Sequence, residues 1–278
     1  MSTDSIEMIP SAHRLMESLR DIGYDLPAAV ADLVDNSLDA RADNVHVDVV
    51  HDRDGGCIRI ADDGEGMTER EHDEAMRYGS KRHYDGGDLS HFGLGLKTAS
   101  LSQCRRLTVA SRSTLKGPIR VRRWDLDHVA RTAAWSLERP AVRDCRDALV
   151  EPLIGTTGTV VLWENLDRIV GARRPGGEAA ARRLEQAADE LAEHLSMVFH
   201  RFLGDEAPGA PLKLHLQSAS SPPGTRSRAM RRAGRSRRSW ETGWRACRRR
   251  SSGAASSRSC TRGSFRASRA TWRTTPSA

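Results

Sequence analysis

The chain has 278 residues, with 44 lysines and arginines against 37 aspartates and glutamates, a formal charge of +7. The positive excess lies in residues 218–278, which hold 16 arginines and one acid, whereas residues 1–217 carry 28 basic and 36 acidic residues, a net of −8. The basic overall charge therefore does not predict nucleic-acid binding by the first 217 residues.

Residues 1–217 are predicted to form one α/β domain of ordinary size. The sequence contains no apolar run long enough to span a membrane and no signal peptide, so we expect no membrane partner. Cys57, Cys104 and Cys145 are far apart and form no CxxC pair. This spacing argues against a disulfide framework or structural zinc and favours a reducing cytoplasm.

Hydrophobic periodicity places the secondary structure along the chain. Helices are predicted over about 10–21, 26–40, 68–79, 96–103 and 177–203. Strands are predicted over 45–50, 57–61, 106–112, 118–124, 158–164 and 212–216. The segment "HDRDGG" predicts a hairpin between the first two strands, and Thr68 predicts a helix cap. The helical spacing of five apolar residues predicts that the last helix packs on the core: Leu184, Leu191, Leu195, Val198 and Phe202.

The segment "ADLVDNSLDA" (31–40) places a polar stripe on one side of the second helix. Its members are Asp32, Asp35, Asn36 and Asp39, at positions i, i+3, i+4 and i+7. The opposite, apolar side is predicted to face the core: Leu26, Val30, Leu33, Val34 and Leu38. Because like charges at this spacing repel, the acidic stripe lowers the stability of the helix unless a bound group offsets the repulsion.

The segment "IADDGEGM" (60–67) places Asp62 at the end of a strand, followed by Gly64 and Gly66. Glycines permit a sharp turn and the close approach of a planar ligand to the backbone. A carboxylate at a strand end can accept a hydrogen bond from an exocyclic amine, as on adenine. An acidic turn after an edge strand is the alternative, while the spacing does not fit an EF-hand.

The segment "HFGLGLKTAS" (91–100) is a glycine-rich loop that enters a helix, with Lys97 and Thr98 in the first turn. Free amides at a helix N-terminus and a lysine beside them favour phosphate. Leu96 stands where a P-loop needs glycine, and Thr98 where the kinase glycine loop needs its third glycine, so neither motif applies. In "GTTGTVVLWENL" (155–166), Thr159 opens an apolar strand and is either a β-former or a partner for a base edge.

These four motifs, in this order, resemble the GHKL ATPases, which include DNA gyrase B, heat-shock chaperone ATPases, histidine kinases and MutL-type repair proteins. "ADLVDNSLDA" looks like their first motif, closest to the gyrase and MutL versions, and "FGLGLK" looks like the lid of MORC-type members. The resemblance covers about residues 10–217. It implies an α/β fold, a two-layer sandwich of a mixed β-sheet covered on one face by helices, known as the Bergerat-type ATP-binding fold.

The resemblance also implies ATP and Mg2+ as cofactors and a role for each motif residue. Asn36 would hold the magnesium ion, and Asp32 would be the catalytic base. Asp62 would accept the adenine amino group, supported by Thr159, with Gly64, Gly66 and Met67 shaping the base pocket. The phosphates would be covered by residues of the glycine-rich segment and its flanks: Lys81, Gly93, Gly95, Lys97 and Thr98.

Asp32 departs from the resemblance, because the base in gyrase, MutL and MORC members is usually glutamate. Aspartate is one methylene shorter, and a small misplacement of a base can slow hydrolysis strongly. We therefore expect magnesium-dependent ATP binding with slow hydrolysis that drives lid closure and either ATP-dependent homodimerisation or partner engagement. The alternative is a nucleotide-dependent switch without hydrolysis. A histidine kinase fits less well, since about 25 residues precede the acidic helix.

Residues 218–278 form an Arg/Ser-rich segment without a leucine, isoleucine or valine. Such a composition cannot bury enough apolar surface to offset its ordering entropy, so we expect it to be disordered. It is interpreted either as a polyanion-seeking arm, through which nucleic acid could bind, or as a coding-frame artefact in a GC-rich gene.

Overall fold

The computed structural model describes residues 8–21, 23–52, 54–78, 95–171, 175–203 and 212–220. All of them belong to the first of two compact units, Met1–Trp240, and the second unit, Glu241–Ala278, lies outside the described residues. Within the described ranges, no helix has the length and apolar character needed to cross a membrane. Cys57, Cys104 and Cys145 are free thiols.

The described chain contains six strands and eight α-helices. The strands are β1 (Asn44–His51), β2 (Cys57–Asp62), β3 (Arg106–Arg112), β4 (Arg120–Asp125), β5 (Gly158–Glu164) and β6 (Lys213–Ser220). The helices are α1 (Ala12–Arg20), α2 (Leu26–Asp39), α3 (Glu69–Ala75), α4 (Gly95–Gln103), α5 (Leu126–Thr132), α6 (Asp147–Val150), α7 (Asp167–Val170) and α8 (Glu178–Val198). Two short 3-10 turns, Val142–Asp144 and Glu151–Leu153, flank α6.

The strands form one mixed sheet in the order β4-β3-β5-β2-β1-β6. Neighbouring strands run antiparallel, except that β6 runs parallel to β1 along the edge. The predicted hairpin between β1 and β2 is confirmed. In the centre of the sheet, β5 lies between β2 and β3, and this order brings the ends of two motif-bearing strands, β2 and β5, beside the end of β3.

Helices cover one face of the sheet and form the main core with it. From the strands this core takes Val45, Val47, Val49, Ile58, Ile60, Leu107, Val109, Val161 and Trp163. The side chains that alternate with these point to the second face, where they pack on Leu149 and Leu153 of the α6 region. The α/β fold with a mixed sheet and covering helices agrees with the sequence-based prediction.

Helix α2 begins at a well-formed cap. The Asp25 carboxylate accepts the backbone N–H of Ala28 at 2.8 Å, and Pro27 occupies the first turn, where its missing N–H costs nothing. Val30, Leu33 and Val34 are buried, as predicted, so the sheet fixes the rotation of the helix. The polar stripe therefore lies on the side away from the core.

Helix α3 starts with a capping box, in which Thr68 and Glu71 satisfy each other's backbone N–H groups. Its C-terminus is capped from other elements. The Trp124 indole donates to the carbonyl of Met76 at 2.9 Å, and the Lys97 ammonium donates to that of Ala75 at 2.7 Å. Both bonds satisfy carbonyls that a helix end leaves without an intrahelical partner.

The prediction of one core-facing helix over 177–203 is wrong at its C-terminus. Helix α8 ends at Val198, where the chain turns so that Phe199 enters the core at 1% exposure. Val198 and Phe202 are consequently 43% and 44% exposed. The sequence pattern does not predict helices α5, α6 and α7, since α6 and α7 have only four residues each and α5 has only seven, too few to show a clear helical period. Helix α3 is equally short, but its Thr68 cap indicates where it begins.

Candidate functional site

Asp62 lies at the end of β2 and is hydrogen bonded by three different segments. Its Oδ1 accepts the backbone N–H groups of Gly64 at 3.0 Å and Thr159 at 3.1 Å. Its Oδ2 accepts the Ser37 hydroxyl at 3.3 Å. Burial raises the pKa of Asp62 to about 6, against the lowering effect of these hydrogen bonds. The carboxyl group is thus held in one orientation in a partly desolvated place.

The backbone around Asp62 leaves no room for side chains at three glycines. A Cβ on Gly64 would lie 2.6 Å from the carbonyl oxygen of Ala40. Gly66 has φ of +66°, and a Cβ there would collide with the carbonyl of Arg112. Gly158 has φ of +138°, and a Cβ there would collide with the carbonyl of Asp62 itself. These glycines let the β2, β3 and β5 ends approach one another closely.

Ser111, at the end of β3, connects the remaining members of the predicted base pocket. Its hydroxyl accepts the backbone N–H of Met67 at 2.8 Å and donates to the carbonyl of Gly158 at 3.0 Å. The Thr159 hydroxyl oxygen lies 3.1 Å from the Ser111 hydroxyl oxygen. Thr159 therefore takes part in a polar network with Ser111 and is more than a β-forming residue at a strand start.

The acidic stripe of α2 keeps its carboxylates close together. Asp32, Asp35 and Asn36 are half-buried, while Asp39 is exposed. Burial raises the pKa of Asp32, opposed by a hydrogen bond from the Tyr24 hydroxyl. Burial also raises the pKa of Asp35, and the charges of Asp32 and Asp39 raise it further. A cation nearby would favour the ionised forms of Asp32 and Asp35, which burial disfavours.

Ser37 joins this helix to the Asp62 site. It is 2% exposed, and its hydroxyl lies 3.1 Å from the carbonyl of Leu33 and 3.3 Å from Asp62 Oδ2. Because Ser37 follows Asn36 directly, the helix that carries the acidic stripe contacts Asp62. Two of the four motifs are therefore in direct contact.

Lys97 is buried in the first turn of α4. It is 1% exposed, its Nζ is bonded to the carbonyl of Ala75, and it lies 6.0 Å from the centre of the Tyr78 ring. Burial lowers the pKa of Lys97 to about 8. Within the described ranges Lys97 makes no hydrogen bond to Asp62 or to the stripe of α2. The structure thus places this side chain on the end of α3.

Other residues of the predicted phosphate-covering set are placed only in part. Gly95 is the first residue of α4, and a Cβ there would meet nothing within 4 Å. The Thr98 hydroxyl lies 3.5 Å from the carbonyl of Gly95. Lys81 and Gly93 lie outside the described residues.

Sequence reasoning missed two residues that hold the site together, Ser37 and Ser111. Ser37 stands inside the quoted motif, one position after Asn36, and its place on the buried side of the helix was the available signal. Ser111 had no such signal, since a serine near a strand end is common. Its role follows from strand register, because Ser111 pairs with Thr159.

The donor set fits an adenine nucleotide with a magnesium ion. In the part of the chain that the structure describes, Asp62 Oδ2 accepts the Ser37 bond and keeps capacity for an amine donor. The three glycines let the backbone segments around Asp62 pack against one another where any Cβ would collide. Asn36 offers an amide oxygen among carboxylates, and the described residues include no cluster of three or more His, Cys, Asp or Glu arranged to hold a metal. A magnesium ion that arrives with nucleotide phosphates needs few protein ligands.

Comparisons with known proteins agree with this chemistry. Residues 24–156 match the family described as histidine kinase-, DNA gyrase B-, and HSP90-like ATPase. One solved structure, "Crystal Structure of N terminal domain of a DNA repair protein", is 18% identical with a TM-score of 0.46, and the match covers 77% of this chain and 53% of that chain. The match thus spans about half the length of that protein. No curated protein sequence matches the chain.

The matched range contains α2, β2 and the beginning of α4, which carry the acidic stripe, Asp62 and Lys97. Thr159 lies just beyond it and reaches the site through its hydrogen bond to Asp62. ATP binding is the property that this family implies. Residues 24–156 are thus similar to the histidine kinase-, DNA gyrase B- and HSP90-like ATPases, the GHKL ATPases.

Proposed function

We propose that the domain binds ATP together with magnesium and hydrolyses the ATP slowly. The observation that supports this proposal best is the Ser37 bridge, which joins the acidic stripe of α2 to the Asp62 pocket. One site then offers a carboxylate that can read an amine and, on the adjacent helix, oxygen donors that suit a hydrated cation.

In this proposal Asp62 accepts the exocyclic amine of adenine. Thr159, Gly64, Gly66 and Met67 form the surrounding pocket, because their backbone positions are fixed by the Asp62 and Ser111 hydrogen bonds. Burial disfavours the ionised Asp62 carboxylate and so raises its pKa. A hydrogen bond from an amine donor would stabilise the ionised form and offset part of that desolvation cost.

Asn36 would hold the magnesium ion, which when bound would offset phosphate charge. Asp32, one turn earlier on α2, would accept a proton from the attacking water as general base. Its pKa is raised by burial, the direction that a base working near neutral pH needs. The crowding of Asp32, Asp35 and Asp39 supports a cation nearby.

Lys97 can cover the phosphates only after it leaves the carbonyl of Ala75. We propose that nucleotide phosphate competes with that carbonyl for the ammonium, with Lys81, Gly93, Gly95 and Thr98 contributing from the same segment and its flanks. Closure over the nucleotide would then lead to dimerisation or partner engagement. The proposal places the nucleotide domain in residues 1–217, with residues 218–278 as a separate tail, in a cytoplasmic protein.

The test combines a magnesium-dependent ATP titration with a steady-state phosphate-release assay. Asp32→Asn should bind ATP with magnesium nearly as the wild type does and lose turnover by roughly 10²–10⁴-fold, the usual contribution of a positioned base. Asn36→Ala should remove the magnesium dependence of binding. Glu65→Gln, an exposed change near the pocket, is the matched control and should leave both measurements unchanged.

Two results would contradict the assigned roles. If Asp32→Asn turned over at the wild-type rate while Asp35→Asn did not, the base would be Asp35. If Asn36→Ala kept the full magnesium dependence, the ion would be held elsewhere.

A nucleotide-dependent switch without hydrolysis is the second candidate. The observation in its favour is that Asp32 is one methylene shorter than the glutamate usual at this position in related proteins. A wild type that binds ATP with magnesium but releases no phosphate would select this function.

A further inference from the structure

Three polar side chains lie in a row at the ends of three neighbouring strands. Ser111 pairs with Thr159 across β3 and β5, and Ala61, the residue before Asp62, pairs with Val160 across β2 and β5. Because side chains alternate along a strand, each member of the row shares the helix-covered face of the sheet with the core residue two positions away. These core residues are Val109, Val161 and Ile60. The row from Ser111 through Thr159 therefore ends at the carboxylate of the proposed base pocket.

The Ser111 hydroxyl uses its whole hydrogen-bonding capacity inside the protein. A hydroxyl has one proton and two lone pairs. The proton of Ser111 goes to the carbonyl of Gly158 at 3.0 Å, and one lone pair accepts the backbone N–H of Met67 at 2.8 Å. The Thr159 hydroxyl oxygen lies 3.1 Å away, and only the second lone pair of Ser111 is left for it. Thr159 is therefore the donor in this pair.

Ser111 and Thr159 differ in their access to a ligand. Ser111 is fully buried, whereas Thr159 is half-buried. Because the hydroxyl proton of Thr159 is committed to Ser111, the threonine oxygen has only lone pairs to offer in the pocket. The ionised Asp62 carboxylate, which accepts the backbone N–H of Thr159 at 3.1 Å, is likewise an acceptor only. The side chains of Asp62 and Thr159 thus present two neighbouring acceptors.

We propose that Ser111 is a positioning residue that sets the base specificity of the pocket, because it holds the hydroxyl proton of Thr159 away from the ligand. The inference rests on the proposed function, in which the base is adenine. An exocyclic amine brings two donor hydrogens to Asp62 and Thr159, whereas a carbonyl in the same place meets lone pairs only. A base with a carbonyl at position 6 is therefore disfavoured through a residue that it does not touch.

The first experiment compares ATP with inosine triphosphate, which carries a carbonyl where adenine has the amine. Both are titrated with magnesium at pH 7.5, where Asp62 is ionised because its pKa is about 6. In Ser111→Ala the Thr159 hydroxyl is free to turn and donate to the carbonyl. We expect the ratio of ATP affinity to inosine triphosphate affinity to fall by about 3- to 10-fold, the range of one hydrogen bond between neutral groups. An unchanged ratio in folded Ser111→Ala would overturn the proposal.

Thr108→Val is the matched control on the same strand. Thr108 is fully buried, and its hydroxyl accepts a hydrogen bond from Nε of Arg123 at 3.0 Å. It lies three residues before Ser111, about 10 Å along the strand. This variant also loses a buried hydroxyl from β3, so we expect lower stability in urea unfolding but an unchanged affinity ratio. An equal fall of the ratio in Thr108→Val would mean that any weakening of β3 produces the effect, and the role of Ser111 would be refuted.

A double-mutant cycle tests whether Ser111 acts through Thr159. Thr159→Val keeps a branched side chain of similar size and removes the hydroxyl. In this background Ser111 has no proton to hold, so adding Ser111→Ala should leave the affinity ratio where Thr159→Val alone puts it. If Ser111→Ala lowers the ratio equally in both backgrounds, Ser111 acts through another group and the proposal is wrong.

The wild-type measurements distinguish a failure of this inference from a failure of the proposed function. A wild type that binds neither nucleotide would overturn the proposed function and this inference with it. A wild type that binds both nucleotides equally would leave nucleotide binding intact and overturn the specificity argument alone.

Discussion

The carboxylate of Asp62 accepts the backbone N–H of Thr159 at 3.1 Å, across 97 residues of sequence. The contact joins the end of β2 to the start of β5 and allows Gly158 to pass over the carbonyl of Asp62. A ligand that meets Asp62 must therefore also meet the turn around Gly158. The proposed base pocket therefore depends on the β2–β5 junction rather than on a single loop.

Replacement of Asp62 by asparagine should weaken adenine nucleotide binding by about 1–3 kcal/mol, the cost of an unmatched buried polar group. Asparagine keeps one oxygen for the backbone N–H groups of Gly64 and Thr159, so the fold should survive. Its amide nitrogen would face the adenine amine, donor against donor. Calorimetric titration with ATP measures the effect. Unchanged affinity in Asp62→Asn would refute the assignment, and Glu65→Gln serves as the exposed control.

The pH dependence of binding should follow the ionisation of Asp62. An amine donor prefers the ionised carboxylate, and the pKa of Asp62 is about 6. The wild-type advantage over Asp62→Asn in ATP affinity should thus be largest near pH 7.5 and shrink about tenfold by pH 5, where roughly a tenth of the group is ionised. The ratio of the two affinities cancels the titration of the nucleotide itself. A ratio that stays constant between these pH values would speak against Asp62.

Gly158→Ala and Gly95→Ala should have opposite effects on stability. At Gly158, φ of +138° and the collision of a Cβ with the Asp62 carbonyl predict a loss of at least about 1–3 kcal/mol. At Gly95, a Cβ meets nothing within 4 Å, and alanine should stabilise α4 by up to about 1 kcal/mol. Chemical denaturation compares the two variants. Equal stability of both would mean that the turn at Gly158 is not tightly packed.

A stabilising Gly95→Ala variant also tests the phosphate-covering role. If the nucleotide approaches the backbone at this position, the variant should bind ATP more weakly although it is more stable. Retained affinity would remove Gly95 from the proposed set.

His72 should make the protein sensitive to acid. It is fully buried on α3, its two ring nitrogens have no hydrogen-bond partner among the described residues, and burial lowers its pKa to about 4. The folded state keeps His72 neutral while the unfolded chain protonates it near 6.5. The contribution of His72 to stability is therefore complete above pH 6.5 and is lost as the pH falls through about 4.

His72→Leu removes this titration and the two buried nitrogens. Relative to the wild type, the variant should gain about 2 kcal/mol more at pH 5 than at pH 7.5, measured from urea unfolding at both pH values. Asp62 has the opposite effect on stability. Its pKa is about 6 in the folded state against an ordinary value of 3.8, so protonation stabilises the folded state as the pH falls from 6 towards 3.8. A His72→Leu difference that is the same at both pH values would contradict the low pKa.

The sequence alone determined most of the local structure and the composition of the site. The apolar side of α2, the Thr68 cap and the β1–β2 hairpin depend on neighbours a few residues apart, and the predictions for them are confirmed. The order of the motifs likewise indicated the ATPase family. Such features can be predicted because their periodicity and capping contacts involve residues within one helical turn or one strand.

Only the tertiary structure decided which groups meet. Strand order placed β5 between β2 and β3, which brought Thr159 to Asp62 and Ser111 to Thr159. The fold brings the Lys97 ammonium of α4 to the carbonyl of Ala75 at the end of α3, a contact that the sequence did not predict. These partners depend on burial and register across distant segments, because a desolvated polar group must bond to whatever the fold places beside it.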